Sequence, residues 1–422
     1  MHSIEAAIGH AAHRVTQFFP RRGKDFWLFE SAVWLHIVGA SVISIYIPIL
    51  MLQAGFALSA VFFFLVLFHL VSGVVTFAVR PFIRIFDARL SIGLATGLFI
   101  IFLGLYSSIS LTQELWQLIA LGVLSGLYDA FYFTPLFYIF IGSNSEQENT
   151  GENTGILNLV IKSAALLGPI VGSSLILFFN SDIYALAVAS IILLVSLIPL
   201  YRIQSIETRP ESNPPKFLAF FSDPREKKNY VSLVFFKIHE AAEAMLWPIF
   251  IFTVFNTLES IAGLAVLVSV LALLFSYLAG HIKEAQRERV IIIGSLLLAL
   301  VWTLRVFIEQ DLVLYATVIA TSLFILMVKI PLEANIFQRG SVHAPLTSSM
   351  YKNAFGMLGK GLFFLAVSLS GINFDLAFVV LAVLMLGIAL ANYIYLRWRK
   401  HHELPLTKSE GRTTEPLKPV QL

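Results

Sequence analysis

Cysteine is absent from the 422 residues, which removes disulfide frameworks, thiolate metal sites and cysteine nucleophiles at once. Charge is scarce: 13% of residues are Asp, Glu, Lys or Arg, against roughly one quarter in a soluble globular domain. The formal net charge of +3 is too small to call for a nucleic acid partner. No glycine-rich Walker loop occurs, so ATP is not expected to drive the protein, and no cofactor is implied. The stretch before Phe26 carries His, Arg and Glu and no continuous apolar core. It does not read as a cleavable signal peptide; the first apolar run is expected to direct insertion itself. What the chain has in abundance is apolar surface. Hydrophobic residues make up 58%, Phe alone numbers 37, and mean hydropathy is +0.82. That composition fits a chain whose outer surface faces lipid.

Apolar runs long enough to span a bilayer occur at about 26–52, 56–79, 90–110, 115–142, 154–179, 183–202, 230–255, 258–280, 289–308, 312–335, 346–369 and 374–397. Most fit the window of about 17–25 residues, and longer ones can tilt. The runs are continuous rather than alternating, which favours helices over barrel strands. With the N-terminus in the cytoplasm and each run crossing once, the loops 53–55, 111–114, 180–182, 256–257, 309–311 and 370–373 lie outside. None holds Lys or Arg. Six of the 29 basic residues fall inside spans: Lys162, Lys237, Arg305, Lys329, Lys352 and Lys360. The other 23 sit in loops and tails of the opposite face, a strong positive-inside pattern. The expected protein is all-α, multi-pass and resident in the plasma or inner membrane, with both termini cytoplasmic.

The longest internal loop, 203–229, is polar and contains four prolines. It divides the chain into a cytoplasmic segment 1–25, a six-helix bundle 26–202, a linker 203–229, a second six-helix bundle 230–397 and a cytoplasmic tail 398–422. The halves show weak symmetry. Arg80, Arg84, Asp87 and Arg89 follow the second span, and Gly280, Glu284, Arg287 and Arg289 follow the eighth, 200 residues later. Each set forms a short charged hinge before a new span, as parallel half-repeats would produce.

An ionisable group near the bilayer centre costs about 2.5–3.5 kcal/mol on insertion scales, so such groups mark function or a partner. Asp129 lies mid-span after Gly122 and Gly126. It is either a proton carrier or a packing anchor, with Lys162 as a candidate partner. The seventh span carries Lys237, His239, Glu240 and Glu243. Glu240 and Glu243 are three apart and share an α-helical face, so they should not both ionise easily; Lys237 can neutralise Glu240. Lys329 and Glu333 are four apart and read as an intrahelical ion pair. Lys352 can snorkel to the cytoplasm, whereas Lys360 is too deep and would bind an anionic group or neutralise an acid on another helix. Arg305 is expected to snorkel to the outer face. Glu30, His36 and His69 are weaker candidates, the histidines as hydrogen-bond anchors. His239 and Glu243 have the spacing of a metal-ligand pair, but no third ligand is apparent, so no metal site is expected. No catalytic constellation appears, and an enzyme is not expected.

Over roughly 26–397 the chain resembles the major facilitator superfamily. The six-loop-six layout is one point of likeness. The hinges resemble the superfamily's loop motif Gly-x-x-x-Asp-Arg-x-Gly-Arg-Arg, with Arg80 for Gly and Arg84 for Asp in the first copy. The second keeps Gly280 and Arg289 and has Glu284 for Asp. Gating by a charge relay at the first hinge is thereby put in question. The fifth span resembles the antiporter motif Gly-x8-Gly-x3-Gly-Pro-x2-Gly-Gly through Gly155, Ala164, Gly168, Pro169, Gly172 and Ser173, departing only by Ala164 and Ser173. Trp247-Pro248 in the seventh span is similar to uncharacterised bacterial members. The resemblance implies a monomeric, twelve-helix secondary transporter of a small solute working by alternating access. Protons are the expected coupling ion, carried by Asp129 or, second, by Glu243, both carboxylates at mid-membrane depth on the fourth and seventh spans, and the antiporter motif leans toward export. The resemblance further implies that the first, fourth, seventh and tenth spans line a central cavity, which would place Asp129, Glu240, Glu243, Lys329 and Glu333 there, with Lys360 as a further candidate. A receptor or assembly factor on the same scaffold is the alternative. The topology is testable because the chain lacks cysteine. An impermeant thiol reagent applied to intact cells should label a single cysteine placed at Ser181 and not one placed at Ser212; labelling at Ser212 would reject the arrangement.

Overall fold

A computed structural model describes residues 23–44, 47–108, 114–143, 150–179, 181–204, 216–255, 281–307 and 311–402. The run expected to form the eighth span, 258–280, lies outside the described residues.

Each expected span within the described residues is helical. The first is α1 (Lys24–Ser44) followed by α2 (Ile47–Gln53). Next come α3 (Leu58–Phe86), α4 (Ala88–Tyr106), α5 (Leu115–Ser143), α6 (Thr150–Phe179) and α7 (Asp182–Tyr201). The short α8 (Phe217–Phe220) leads into α9 (Pro224–Ala241), a π-turn (Ala242–Leu246) and α10 (Trp247–Phe255), which together make the seventh span. The chain ends in α11 (Arg287–Phe307), α12 (Asp311–His343), α13 (Pro345–Leu369) and α14 (Phe374–His402). Among the described residues, nine helical stretches are long and apolar enough to cross a membrane. The segments Pro224–Phe255 and Pro345–Leu369 are helical at the expected places but more polar. The large exposed side chains are apolar along whole helix faces, as in Phe63, Val74 and Phe77 of α3 and Leu376, Val383 and Leu390 of α14. Such faces suit lipid.

The helices run further than the apolar runs. α3 has 29 residues and continues through Pro81 to Phe86, and α12 has 33 and reaches His343. At 1.5 Å per residue a helix of this length exceeds the roughly 30 Å hydrocarbon layer, so it tilts or projects beyond it. Arg80 and Arg84, read from sequence as a loop, are therefore helical. The turn itself narrows to Asp87, whose φ of 96° is uncommon outside glycine.

The two halves use one packing scheme. In the first, α1 packs on α6 and α7, and α4 on α5 and α7; in the second, α9 packs on α13 and α14, and α11 on α12 and α14. Counted by span, each pair recurs six spans later. The halves meet where α13 crosses α3 and α5, and where α12 meets α5 and α6. The α3–α13 crossing is reciprocal. A Cβ at Gly73 would lie 2.6 Å from Leu358 Cγ, and one at Gly361 would lie 2.6 Å from Leu70 Cδ2. Each helix thus seats its partner's leucine over its own glycine. Toward the basic face the interface is filled by Phe137, Phe140 and Phe337, with ring centroids 5.0 to 5.8 Å apart across the halves.

The small residues of the fifth span serve a contact within the first half. A Cβ at Gly168 would strike Ser41, and one at Gly172 would strike the backbone carbonyl of Val42. A carbonyl on a neighbouring helix cannot swing aside as a side chain can, so bulk here must move α6 off α1. Overpacking of this kind costs about 1–3 kcal/mol. Gly172→Leu should therefore stop transport while the protein still inserts, as read by flux in proteoliposomes and by size-exclusion profile. Full transport by that variant would show that the glycine spacing has no role.

Candidate functional site: charged side chains between the two halves

α9 brings Lys237 and Glu240 to the middle of the interface, one turn apart. The stem of Lys237 lies over Gly356 of α13, where a Cβ would be 3.1 Å from Lys237 Cγ. Lys237 Nζ donates to Glu240 Oε2 at 2.6 Å, and Lys329 Nζ of α12 donates to Glu240 Oε1 at 2.6 Å. Glu333 of α12 receives Lys352 of α13 at 3.1 Å and Lys237 at 3.6 Å. From the first half, Asn158 Nδ2 of α6 donates to Glu333 Oε2 at 3.4 Å. Lys352 also lies 3.3 Å from the centroid of the Phe137 ring. The expected Lys329–Glu333 pair within α12 is thus replaced by pairs between helices. Lys352 does not snorkel; it is 1% exposed, because Glu333 and Phe137 hold its ammonium in place.

Two further lysines face this network. Lys162 of α6 and Lys360 of α13 are half-buried. Lys162 interacts electrostatically with Lys329, Glu240, Lys237 and Glu333. Lys360 interacts with Lys237, Glu240, Asp129 and Lys329. The sequence suggested Lys162 as a partner for Asp129, but the charged neighbours of Asp129 are Lys360 and Lys237.

Glu243 goes elsewhere. The π-turn Ala242–Leu246 winds the seventh span more loosely than an α-helix, and Trp247 N–H bonds to Ala242 O, five residues back. Pro248 follows; it has no N–H and would crowd the carbonyl four residues earlier in a regular helix. Glu243 lies inside this turn and meets α11 rather than α12. There its carboxylate accepts a hydrogen bond from Arg305 Nη1. Arg305 also donates to Thr317 Oγ1 at 3.1 Å and Thr321 Oγ1 at 3.3 Å of α12. Its guanidinium carbon stands 3.8 Å from the Trp247 ring centroid and 4.5 Å from that of Trp302. Arg305 is therefore buried rather than snorkelling, and the two glutamates bind different cations. His239 Nδ1 accepts from Trp302 Nε1 at 2.8 Å, which turns it from the metal reading; no metal-binding cluster exists among the described residues.

Asp129 sits in the middle of α5. Gly122 and Gly126 seat α5 closely on α3, where a Cβ at Gly126 would lie 2.7 Å from Val71 and 2.8 Å from Phe68 O. The close approach delivers Ser72, whose Oγ donates to Asp129 Oδ2 at 2.6 Å. Asn353 of α13 donates from Nδ2 to the same oxygen at 3.3 Å and to Thr76 Oγ1 at 3.0 Å. Asp129 is 7% exposed and hydrogen-bonded by both halves at once.

The hinge residues tie helix ends together. Asp87 accepts from Arg89 Nε at 2.9 Å, and Arg89 Nη1 donates to Ile203 O at 3.2 Å, just past α7. In the second half Glu284 accepts from Gln338 Nε2 at 3.2 Å, Arg287 binds Gln338 Oε1 at 2.7 Å, and Arg289 is exposed. Gly280 lies outside the described residues. His36 stacks on Tyr132 at 3.8 Å and pairs with Tyr128 Oη at 2.9 Å, while His69 bonds to Leu65 O at 2.6 Å. His36 is an anchor inside its half, while the His69 ring also packs on Phe364 of α13, with centroids 5.3 Å apart. Glu30 is buried on α1 beside Trp27 and Trp34. Sequence reasoning passed over Ser72, Asn158 and Asn353, which are uncharged; the signal of Ser72 and Asn158 was a polar residue inside an apolar run, while Asn353 stood in the shadow of Lys352.

The fold has known counterparts. Among solved structures, the human organic anion transporter TETRAN superposes with a TM-score of 0.64 at 12% identity, covering 88% of this chain and 100% of its own. A bacterial homologue of the iron transporter ferroportin, in an outward-facing state, gives 0.64 at 14% identity, with 90% and 100% covered. The E. coli fucose:proton symporter FucP gives 0.61 at 12% identity, with 87% and 98% covered. No curated protein matches in sequence. The sequence model of the Major Facilitator Superfamily matches residues 31–337, most of the chain. By that match, and by the fold it shares with these transporters, the chain belongs to the Major Facilitator Superfamily of membrane transporters.

Proposed function

We propose that this transporter moves a small solute by alternating access, with the bundles 26–202 and 230–397 rocking about the cluster between them, and that protons drive it through Asp129. The repeated packing scheme and the reciprocal α3–α13 crossing support rocking, because each half keeps its own contacts while sharing few elements with the other. The side rich in Lys and Arg is taken as cytoplasmic, so the aromatic plug of Phe137, Phe140 and Phe337 closes the cytoplasmic end in this conformation. The antiporter-like spacing in α6 supports export.

The observation that carries the proton reading is the double hydrogen bond to one oxygen of Asp129, from Ser72 in one half and Asn353 in the other. A carboxylate strengthens both bonds; a carboxylic acid weakens them. Oδ1 takes neither bond and is where a proton would sit. Protonation would then loosen α5 from α13, and deprotonation would restore both the bonds and the attraction to Lys360. A proton thus shifts the balance between two arrangements of the halves, as coupling requires. Glu243 lacks this geometry, since its carboxylate is committed to Arg305 within one half.

Once a stabilising solute is identified by thermal-shift screening, Asp129→Asn in proteoliposomes should abolish accumulation driven by a pH gradient while leaving solute exchange. Wild-type efflux should acidify a lumen containing pyranine, as expected of proton exchange for exported solute. Undiminished gradient-driven accumulation by Asp129→Asn would refute the assignment. Glu243→Gln should behave differently. Removing one partner of a buried pair costs about 3–5 kcal/mol, so this variant should show a lowered unfolding temperature and, in whatever fraction folds, intact coupling.

A further inference from the structure

We infer that the solute is an anion carrying two negative charges, held between Lys162 of α6 and Lys360 of α13. This rests on the transport reading of the same site. The cluster holds Lys162, Lys237, Lys329, Lys352 and Lys360 against Asp129, Glu240 and Glu333, so cations exceed carboxylates by two even with Asp129 ionised.

The surplus falls on particular residues. Glu240 is taken by Lys237 and Lys329, and Glu333 by Lys352 and Lys237. Among the described residues, Lys162 and Lys360 make no ion pair within 4 Å and no hydrogen bond. Both are half-buried. They approach the cluster from different halves, yet share Lys237, Glu240 and Lys329 as electrostatic neighbours. Bare ammonium groups are costly in a membrane interior and are kept where a ligand neutralises them. The surrounding lysines repel a cationic solute, so the same field that favours a dianion excludes its opposite. A lysine offers a point charge with three donors and imposes no planar fork, so carboxylate, phosphate and sulfonate groups are all acceptable. A dianion spanning the two lysines would also bridge the halves. It would replace their repulsion from Lys329 and Lys237 with attraction, giving the closed state a reason to form only when loaded.

The test is binding of defined probes to the purified full-length protein, followed by thermal unfolding and titration calorimetry. Succinate, phthalate, glycerol 3-phosphate and naphthalene-1,5-disulfonate serve as dianions, with succinamide and phthalamide as uncharged counterparts and tetraphenylphosphonium as a cation. At least one dianion should bind and raise the unfolding temperature, with affinity falling as KCl is raised; the diamides and the cation should not bind. Lys162→Gln and Lys360→Gln should each weaken binding tenfold or more, and Lys360→Arg, which keeps the charge and controls for folding, should retain most of it. The inference is overturned if no dianion binds, if a diamide binds as tightly as its dianion, or if the double Gln variant binds unchanged. A dianion that binds with these dependences but is not moved in proteoliposomes would leave the anion site standing and remove the transport reading instead.

Discussion

A charge inside a bilayer has no water to turn to, and that constraint organises this molecule. An ionised side chain below the surface is stabilised by a counter-charge, a hydrogen-bond partner or an aromatic face from a neighbouring helix, and most of the buried charges here have one. Lys352 meets Glu333 and the Phe137 ring; Arg305 meets Glu243, two threonines and two tryptophans. Because these partners lie on different helices, satisfying them also sets how the helices pack. The ion pairs of the second half join α9, α12 and α13, and Glu243 with Arg305 joins the seventh span to α11. The interface between halves carries lighter bonds, such as Asn158 to Glu333 and Asn353 to Asp129. Neutral donors there hold less firmly than ion pairs do.

The architecture was legible from one sequence because membrane folding leaves coarse marks. The length and continuity of the apolar runs follow from the bilayer rather than from packing detail. The antiporter-like spacing was legible for a related reason. Gly168 and Gly172 are demanded by backbone of another helix, and only glycine meets such a demand, so the requirement is written in residue type. The helix ends were less legible. Arg80 and Arg84 are polar and looked like loop, but nothing in their backbone preference ends a helix, and α3 carries them past the apolar run.

Charge partners were the least legible part. Sequence offers neighbours at three and four residues, and so Lys329 was matched with Glu333, and Glu240 with Glu243. The structure spends those groups across helices, where long side chains from α9, α12 and α13 converge. Partner choice depends on helix rotation, and rotation is fixed by contacts such as Lys237 over Gly356 that no single helix contains. The error over Arg305 has the same source. Its depth near a helix end suggested snorkelling, yet Trp247, Trp302 and Glu243 form a site for it that only the assembled bundle has.

The π-turn shows how one local irregularity separates two roles. In an unbroken α-helix Glu240 and Glu243 would point to nearly one side, and two carboxylates in one pocket would compete for the same cations. Trp247-Pro248 makes a regular helix difficult at that place, since proline withdraws a donor and crowds the preceding turn. The wider turn Ala242–Leu246 precedes it, with Trp247 N–H bonded five residues back to Ala242 O. One glutamate then stays with Lys237 and Lys329 at the interface, while the other fixes Arg305 inside the second half. The arginine pair lies within the second half, whereas the lysine pairs gather where the second half meets the first. The π-turn before Trp247-Pro248 thus lies between the pair that ties the seventh span to α11 and the pairs that join α9, α12 and α13.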